Sequence, residues 1–142
     1  MTVFVAPDKG KPKADYEKAF ADWKASHQPF HWFVEFFGIM SSGGFDVIIG
    51  NPPYVEYAKI KSSYKIRNLL TESCGNLYAF IRERCLNLSE RRGRLGMIQP
   101  VAAVCTEGYE PLQAALRTTG CSVVSNFNDR PGKLFDGLEH PS

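Results

Sequence analysis

The sequence predicts an α/β fold built on a parallel sheet. Three observations carry that prediction. First, Phe45-Asp46-Val47-Ile48-Ile49-Gly50 is β-branched and apolar on both faces, the composition of a parallel strand covered from both sides. Second, residues 76–88 set Leu77, Phe80, Ile81, Cys85 and Leu88 at helical spacing, with Arg82, Glu83 and Arg84 expected to face outward. Third, the order strand, helix, strand, helix, strand calls for crossover connections rather than hairpins. At 142 residues, 44% of them hydrophobic and 23% charged, the chain has room for one such domain and not two.

Taken in order, residues 1–13 hold Pro7, Gly10 and Pro12 among lysines and are expected to be a flexible N-terminal segment outside the domain, which would run from 14 to 142. Tyr16, Phe20 and Trp23 then recur at helical spacing, so residues 15–26 predict a short amphipathic helix ended before Pro29. Residues 30–40 carry Phe30, Trp32, Phe33, Phe36 and Phe37 and read as an aromatic packing segment leading into the core. Ser41-Ser42-Gly43-Gly44 predicts a turn before the strand at 45–50. Residues 58–73 are polar and basic and read as a long loop with some helix. After the helix at 76–88, Glu90-Arg91-Arg92-Gly93-Arg94 predicts a charged turn, and 95–100 a short buried strand. A helix over 109–118 with Leu112, Ala115 and Leu116 inward, Gly120 at its end, a third strand over 121–127 and a loop-like tail complete the expectation.

Charge and composition exclude several classes of function. The 17 Lys and Arg against 15 Asp and Glu leave a net charge of +2, so nucleic acid could be held only by a local patch. No apolar run approaches the ~18 residues of a membrane span, and no apolar signal core follows Met1, which predicts a cytoplasmic protein. Cys74, Cys85, Cys105 and Cys121 are spaced by 11, 20 and 16 residues without a Cys-x-x-Cys pair, and Pro29 separates His27 from His31. No metal site is expected.

The motif that carries chemistry is Asn51-Pro52-Pro53-Tyr54, directly after the apolar strand. Pro52 drives Asn51 out of the helical region and Pro53 fixes its own φ, so the tetrapeptide is a stiff extended corner. In α/β sheets, ligands bind beyond the carboxyl ends of strands, and the corner stands there. The Asn51 side-chain oxygen and the Pro52 carbonyl are two acceptors that can converge on one amino group, and the Tyr54 ring offers a face for a flat heterocycle.

At these residues the sequence resembles the adenine-specific DNA methyltransferases of restriction-modification systems, over the run Gly44-Phe45-Asp46-Val47-Ile48-Ile49-Gly50-Asn51-Pro52-Pro53-Tyr54. The resemblance implies that a target adenine is flipped from the duplex, that Asn51 and Pro52 hold its amine, that Tyr54 stacks on the base and that Pro53 contacts the cofactor, S-adenosylmethionine. The same tetrapeptide occurs in methyltransferases acting on glutamine amides and on exocyclic amines in RNA. Here the continuation through Val55-Glu56-Tyr57-Ala58-Lys59-Ile60-Lys61, Gly75-Asn76-Leu77-Tyr78 and Gly93-Arg94-Leu95-Gly96-Met97-Ile98-Gln99-Pro100 is similar to the large restriction-modification methylases, some fused to a nuclease. The likeness spans roughly 30–138.

That family binds its cofactor mainly through a glycine-rich loop after the first strand, and no such segment precedes Phe45. The resemblance therefore implies a partial Rossmann-like S-adenosylmethionine-dependent methyltransferase sheet, its fourth to sixth strands with crossover helices, lacking the cofactor loop and the target-recognition domain. Phe45 to Gly50 would then be an exposed apolar edge. The expected partners are DNA and either the missing part of the methylase or a second copy through that edge. Lys59, Lys61, Lys65 and Arg67 follow the corner and are the candidates for DNA phosphates, whereas Arg91, Arg92 and Arg94 lead into the next strand's amino end. Two functions stay open: a DNA methyltransferase segment inactive alone, or a non-catalytic remnant or interaction module that keeps the fold.

Overall fold

The computed structural model describes residues 13–63 and 65–127. The expectations for 1–12 and for the tail beyond 127 lie outside the described residues. Along the chain come α1 (Lys13–His27), α2 (Trp32–Glu35), α3 (Phe37–Ser41), β1 (Phe45–Gly50), α4 (Tyr57–Ile60), a 3-10 helix (Leu70–Cys74), α5 (Leu77–Leu88), β2 (Ser89–Met97), α6 (Ala102–Cys105), a second 3-10 turn (Glu107–Tyr109) and α7 (Glu110–Thr118). Lys13, expected in the flexible segment, is the first residue of α1. β1 and β2 form a two-stranded parallel sheet.

The helix expected before Pro29 forms as α1 and carries its aromatic rings in a ladder. Tyr16, Phe20, Trp23 and His27 stack in succession at centroid separations of 6.1, 5.9 and 5.4 Å. The aromatic segment that follows anchors the start of the sheet. Trp32 and Phe36 both meet Phe45 edge to face, at 5.8 and 5.4 Å. Gly44 then enters with φ +116°, and a side chain there would run into the Leu88 carbonyl and the backbone of Ser89 and Glu90. Only glycine lets β1 start against the end of α5.

The regular pairing joins Val47, Ile48, Ile49 and Gly50 to Arg94, Leu95, Gly96 and Met97. The charged segment 90–94, expected as a turn before the strand, lies inside β2. It loops out of register, because Phe45 pairs with Ser89 and Val47 already with Arg94. At Gly93 a side chain would come within 3.0 Å of the Glu90 and Phe45 carbonyls, so the irregularity closes on a glycine.

The third strand expected over 121–127 is not formed. Those residues have no regular structure and are exposed, Val123 at 88%. A strand is made by its ladder, and no other strand among the described residues lies beside this one. β1, expected to be covered on both faces, is also bare on one of them: Val47 is 59% and Ile49 79% exposed, while Phe45 and Ile48 are half-buried. The exposed residues belong to a face of the strand, where no helix among the described residues covers them.

The core sits among the later helices and not on the sheet. Tyr78, Ala79 and Phe80 of α5 pack with Ala103 of α6 and Leu112 of α7, and Tyr57, Ile66, Leu69, Tyr109 and Leu116 close around them. α7 needs its strong amphipathicity for this, with Leu112 fully buried and Pro111 in its first turn, where proline costs no hydrogen bond. Two residues of α5 depart from expectation. Glu83 is buried because it follows Ala79 by four residues and Phe80 by three, on the inner face they define, and its neighbour Arg82 is half-buried.

Candidate functional site

Since β1 and β2 run parallel, Gly50 and Met97 end at the same edge of the sheet, and the corner Asn51-Pro52-Pro53-Tyr54 leaves from there. Ile98 N–H donates to the Gly50 carbonyl at 3.1 Å, which extends the ladder to the residue before Asn51. Beyond the corner the chain is tied down again. Leu77 N–H donates to the Val55 carbonyl at 2.9 Å and Tyr57 N–H to the Gly75 carbonyl at 2.8 Å, around an antiparallel bridge between Glu56 and Asn76. The tetrapeptide is thus fixed on both flanks and stiffened within by its prolines.

Within the corner Pro52 is buried, and Asn51, Pro53 and Tyr54 are exposed. The Tyr54 hydroxyl donates to Asn51 Oδ1 at 3.0 Å. Its ring, 42% exposed, stands edge-on to the buried Tyr78 at 6.1 Å, and Tyr78 stacks on Tyr109 at 5.2 Å. Burial pushes the Tyr54 phenol above its ordinary pKa, so it stays a protonated donor through the neutral range. Burial, and after it a hydrogen bond with Tyr109, pushes Tyr78 up far more. The arrangement presents one amide oxygen and one aromatic face, both backed by a rigid row of rings.

The four basic residues named from the sequence lie on the excursion that leaves the corner. Lys59, on α4, is 3.5 Å from Glu56, and Lys61 follows α4. Lys65 and Arg67 are exposed on either side of Ile66, whose N–H donates to the Tyr57 hydroxyl at 3.0 Å. The excursion is then clamped by Glu83. Its carboxylate accepts from Leu70 N–H at 3.0 Å, from Thr71 N–H at 2.8 Å and from the Thr71 hydroxyl at 2.7 Å. This buried carboxylate, expected to face outward, satisfies the otherwise orphan amides at the start of the 3-10 helix.

A second polar contact crosses from α5 to the residue after β2. Arg82 Nη1 donates to Gln99 Oε1 at 2.6 Å, and burial lowers the guanidinium pKa from its usual value. It straps α5 to the sheet's carboxyl end, one residue from the Ile98 amide that holds Gly50. Neither this strap nor the Glu83 clamp is visible as a motif; the one sequence signal is that Glu83 falls on the face defined by Ala79 and Phe80.

The sequence pattern of the Eco57I restriction-modification methylases matches residues 7–132. The chain belongs to that family. It is also 33% identical over 94 residues to a Methanocaldococcus jannaschii protein provisionally named type II restriction enzyme and methyltransferase, an overlap that covers 66% of this chain and 8% of that protein. No solved structure matches the chain.

A restriction-modification methylase needs a methyl donor, and the consecutive glycines nearest the corner do not form a cradle for one. Gly43 and Gly44 stand at the amino end of β1, away from Asn51, and Gly44 is taken up by packing on Leu88 and Ser89. Among the described residues no three His, Cys, Asp or Glu side chains gather as a metal site. No described helix is long and apolar enough to cross a membrane.

Proposed function

We propose that this chain is the target-base side of an adenine-specific DNA methyltransferase that uses S-adenosylmethionine, and that it works within a longer polypeptide. The observation that carries the reading is the corner itself: an exposed Asn51 and a half-exposed Tyr54 ring on a doubly anchored Pro-Pro turn at the carboxyl end of a parallel pair, in a methylase family. The 8% share of the Methanocaldococcus jannaschii relative supports the longer polypeptide.

In this reading a flipped adenine stacks on Tyr54, and its exocyclic amine donates to Asn51 Oδ1 and to the Pro52 carbonyl. The amine's lone pair is delocalised into the ring, and two acceptors drawing on its hydrogens favour the pyramidal, nucleophilic form. Holding the base at a fixed corner also supplies the orientation that a bimolecular transfer lacks. S-adenosylmethionine, when bound, supplies an electrophilic methyl group. Pro53, exposed beside Asn51, is the residue of this chain that would touch it. Lys59, Lys61, Lys65 and Arg67, on the excursion that follows the corner, meet the phosphates flanking the flipped base in this reading.

Asn51→Ala in the whole protein tests the assignment: adenine methylation of DNA should fall by at least ~100-fold, the scale of losing one preorganised polar group at a reacting centre. Unchanged methylation removes the reading. The isolated segment should give no heat with S-adenosylmethionine by calorimetry while the whole protein does. Replacing Lys61 and Arg67 by Ala should weaken DNA binding and lower the salt slope by about one per charge removed.

A further inference from the structure

We infer that the Tyr54 hydroxyl is a latch on the corner: it holds the Asn51 acceptor closed in the free protein and must let go before a base can stack. The inference rests on the reading of Asn51 as the acceptor for the target amine. It adds a step that this reading does not contain.

The geometry supplies the reason. In the free corner the hydroxyl and Asn51 Oδ1 are 3.0 Å apart, a good hydrogen bond between side chains three residues apart across the Pro-Pro turn. A ring stacked on a base lies about 3.5 Å from the plane of that base. When the base first binds, its amine is still conjugated with the ring and its hydrogens lie near the base plane, so an acceptor that takes one of them lies near that plane too. A hydroxyl carried in the plane of the stacked ring is then farther from Oδ1 than 3.0 Å and points along its own plane rather than at the oxygen. Stacking and the Tyr54–Asn51 bond therefore exclude each other.

The latch is also well made for its task. The Tyr54 phenol, whose ordinary pKa of 10.0 burial raises further, is a donor throughout the neutral range. The ring's edge contact with Tyr78, itself braced by Tyr109, limits where it can go. On arrival of a base, one donor replaces another on Oδ1: the phenol O–H leaves and the amine N–H takes its place. A base with a carbonyl at that position brings an acceptor instead and leaves Oδ1 without a partner, at the cost of an unmade bond.

The test is a double-mutant cycle in the whole protein, read by equilibrium binding of a fluorescein-labelled duplex that carries its methylated site. Tyr54→Phe keeps the stacking face and removes the latch, so it should tighten binding about threefold to fivefold, the size of one net hydrogen bond. In the Asn51→Ala background the same change should do nothing. Binding by Tyr54→Phe that is unchanged or weaker, or equal tightening in the Asn51→Ala background, overturns the latch. Failure of the underlying reading shows elsewhere, as methylation that survives Asn51→Ala.

Discussion

The two halves of this molecule are finished to different degrees. From Tyr57 to Thr118 the helices close on a shared core in which Tyr78, Ala79, Phe80 and Leu112 are almost wholly covered. The sheet has no such cover on its outer face, where Val47 and Ile49 stand in solvent, and the segment before it leaves Phe33, Val34 and Phe37 exposed as well. The same chain thus holds a part that satisfies its own apolar surface and a part that leaves it open. Burial of apolar surface is the main stabilising term in folding, so the corner Asn51 to Tyr54 stands between a well-packed half and one whose apolar surface is open.

That contrast can be broken most severely at Leu112. Leu112→Ala should cost about 2–5 kcal/mol, enough to unfold a segment of this size, measured by denaturant unfolding followed by circular dichroism. Removing the clamp with Glu83→Ala leaves the Leu70 and Thr71 amides unpaired and should cost about 1–3 kcal/mol in the same measurement, with Glu83→Gln in between.

A smaller effect comes from alkali. Burial raises the Cys85 and Cys74 thiols above their ordinary pKa of 9.0. The unfolded chain then sheds those protons first, so stability is fully present below that value and is lost as pH rises past it. Thermal midpoints should hold steady from about pH 7 and fall towards about pH 10. On the sheet the sign differs. Ile49→Lys should leave the fold in place and suppress concentration-dependent self-association in sedimentation, because a charge on an open apolar strand blocks pairing. Val47→Ala should be the mildest change, within about 0.5 kcal/mol for this chain.

The same division explains what could be read from the sequence. β1 and the corner were legible because an apolar β-branched run stopped at Pro52 and Pro53 is a purely local signal. α1, α5 and α7 were legible from their spacing. Residues 121–127 have strand composition but no partner strand among the described residues, and a ladder is not a local property. Glu83 was misread because charge argued for solvent, while the donors that bury it come from Leu70 and Thr71 on a loop without periodicity. The charged stretch 90–94 was placed as a turn; it is an irregular opening of β2, which single-residue composition cannot tell from a turn. At the corner the tetrapeptide is readable as a local signal, and the Tyr54–Asn51 contact is not, since it depends on side-chain rotamers.

The bridge between Glu56 and Asn76 has one more consequence. By fastening Val55 and Tyr57 to Leu77 and Gly75, it shuts the excursion between them at its base. Chain enclosed in this way can be lengthened, shortened or exchanged at a small entropic penalty, because closure costs grow only with the logarithm of loop length. The fold has in effect a cassette there: length can change among the exposed residues around Lys61 and Ser62 while Ile66 and Leu69 stay on the core, Thr71 stays on Glu83 and the corner keeps its place.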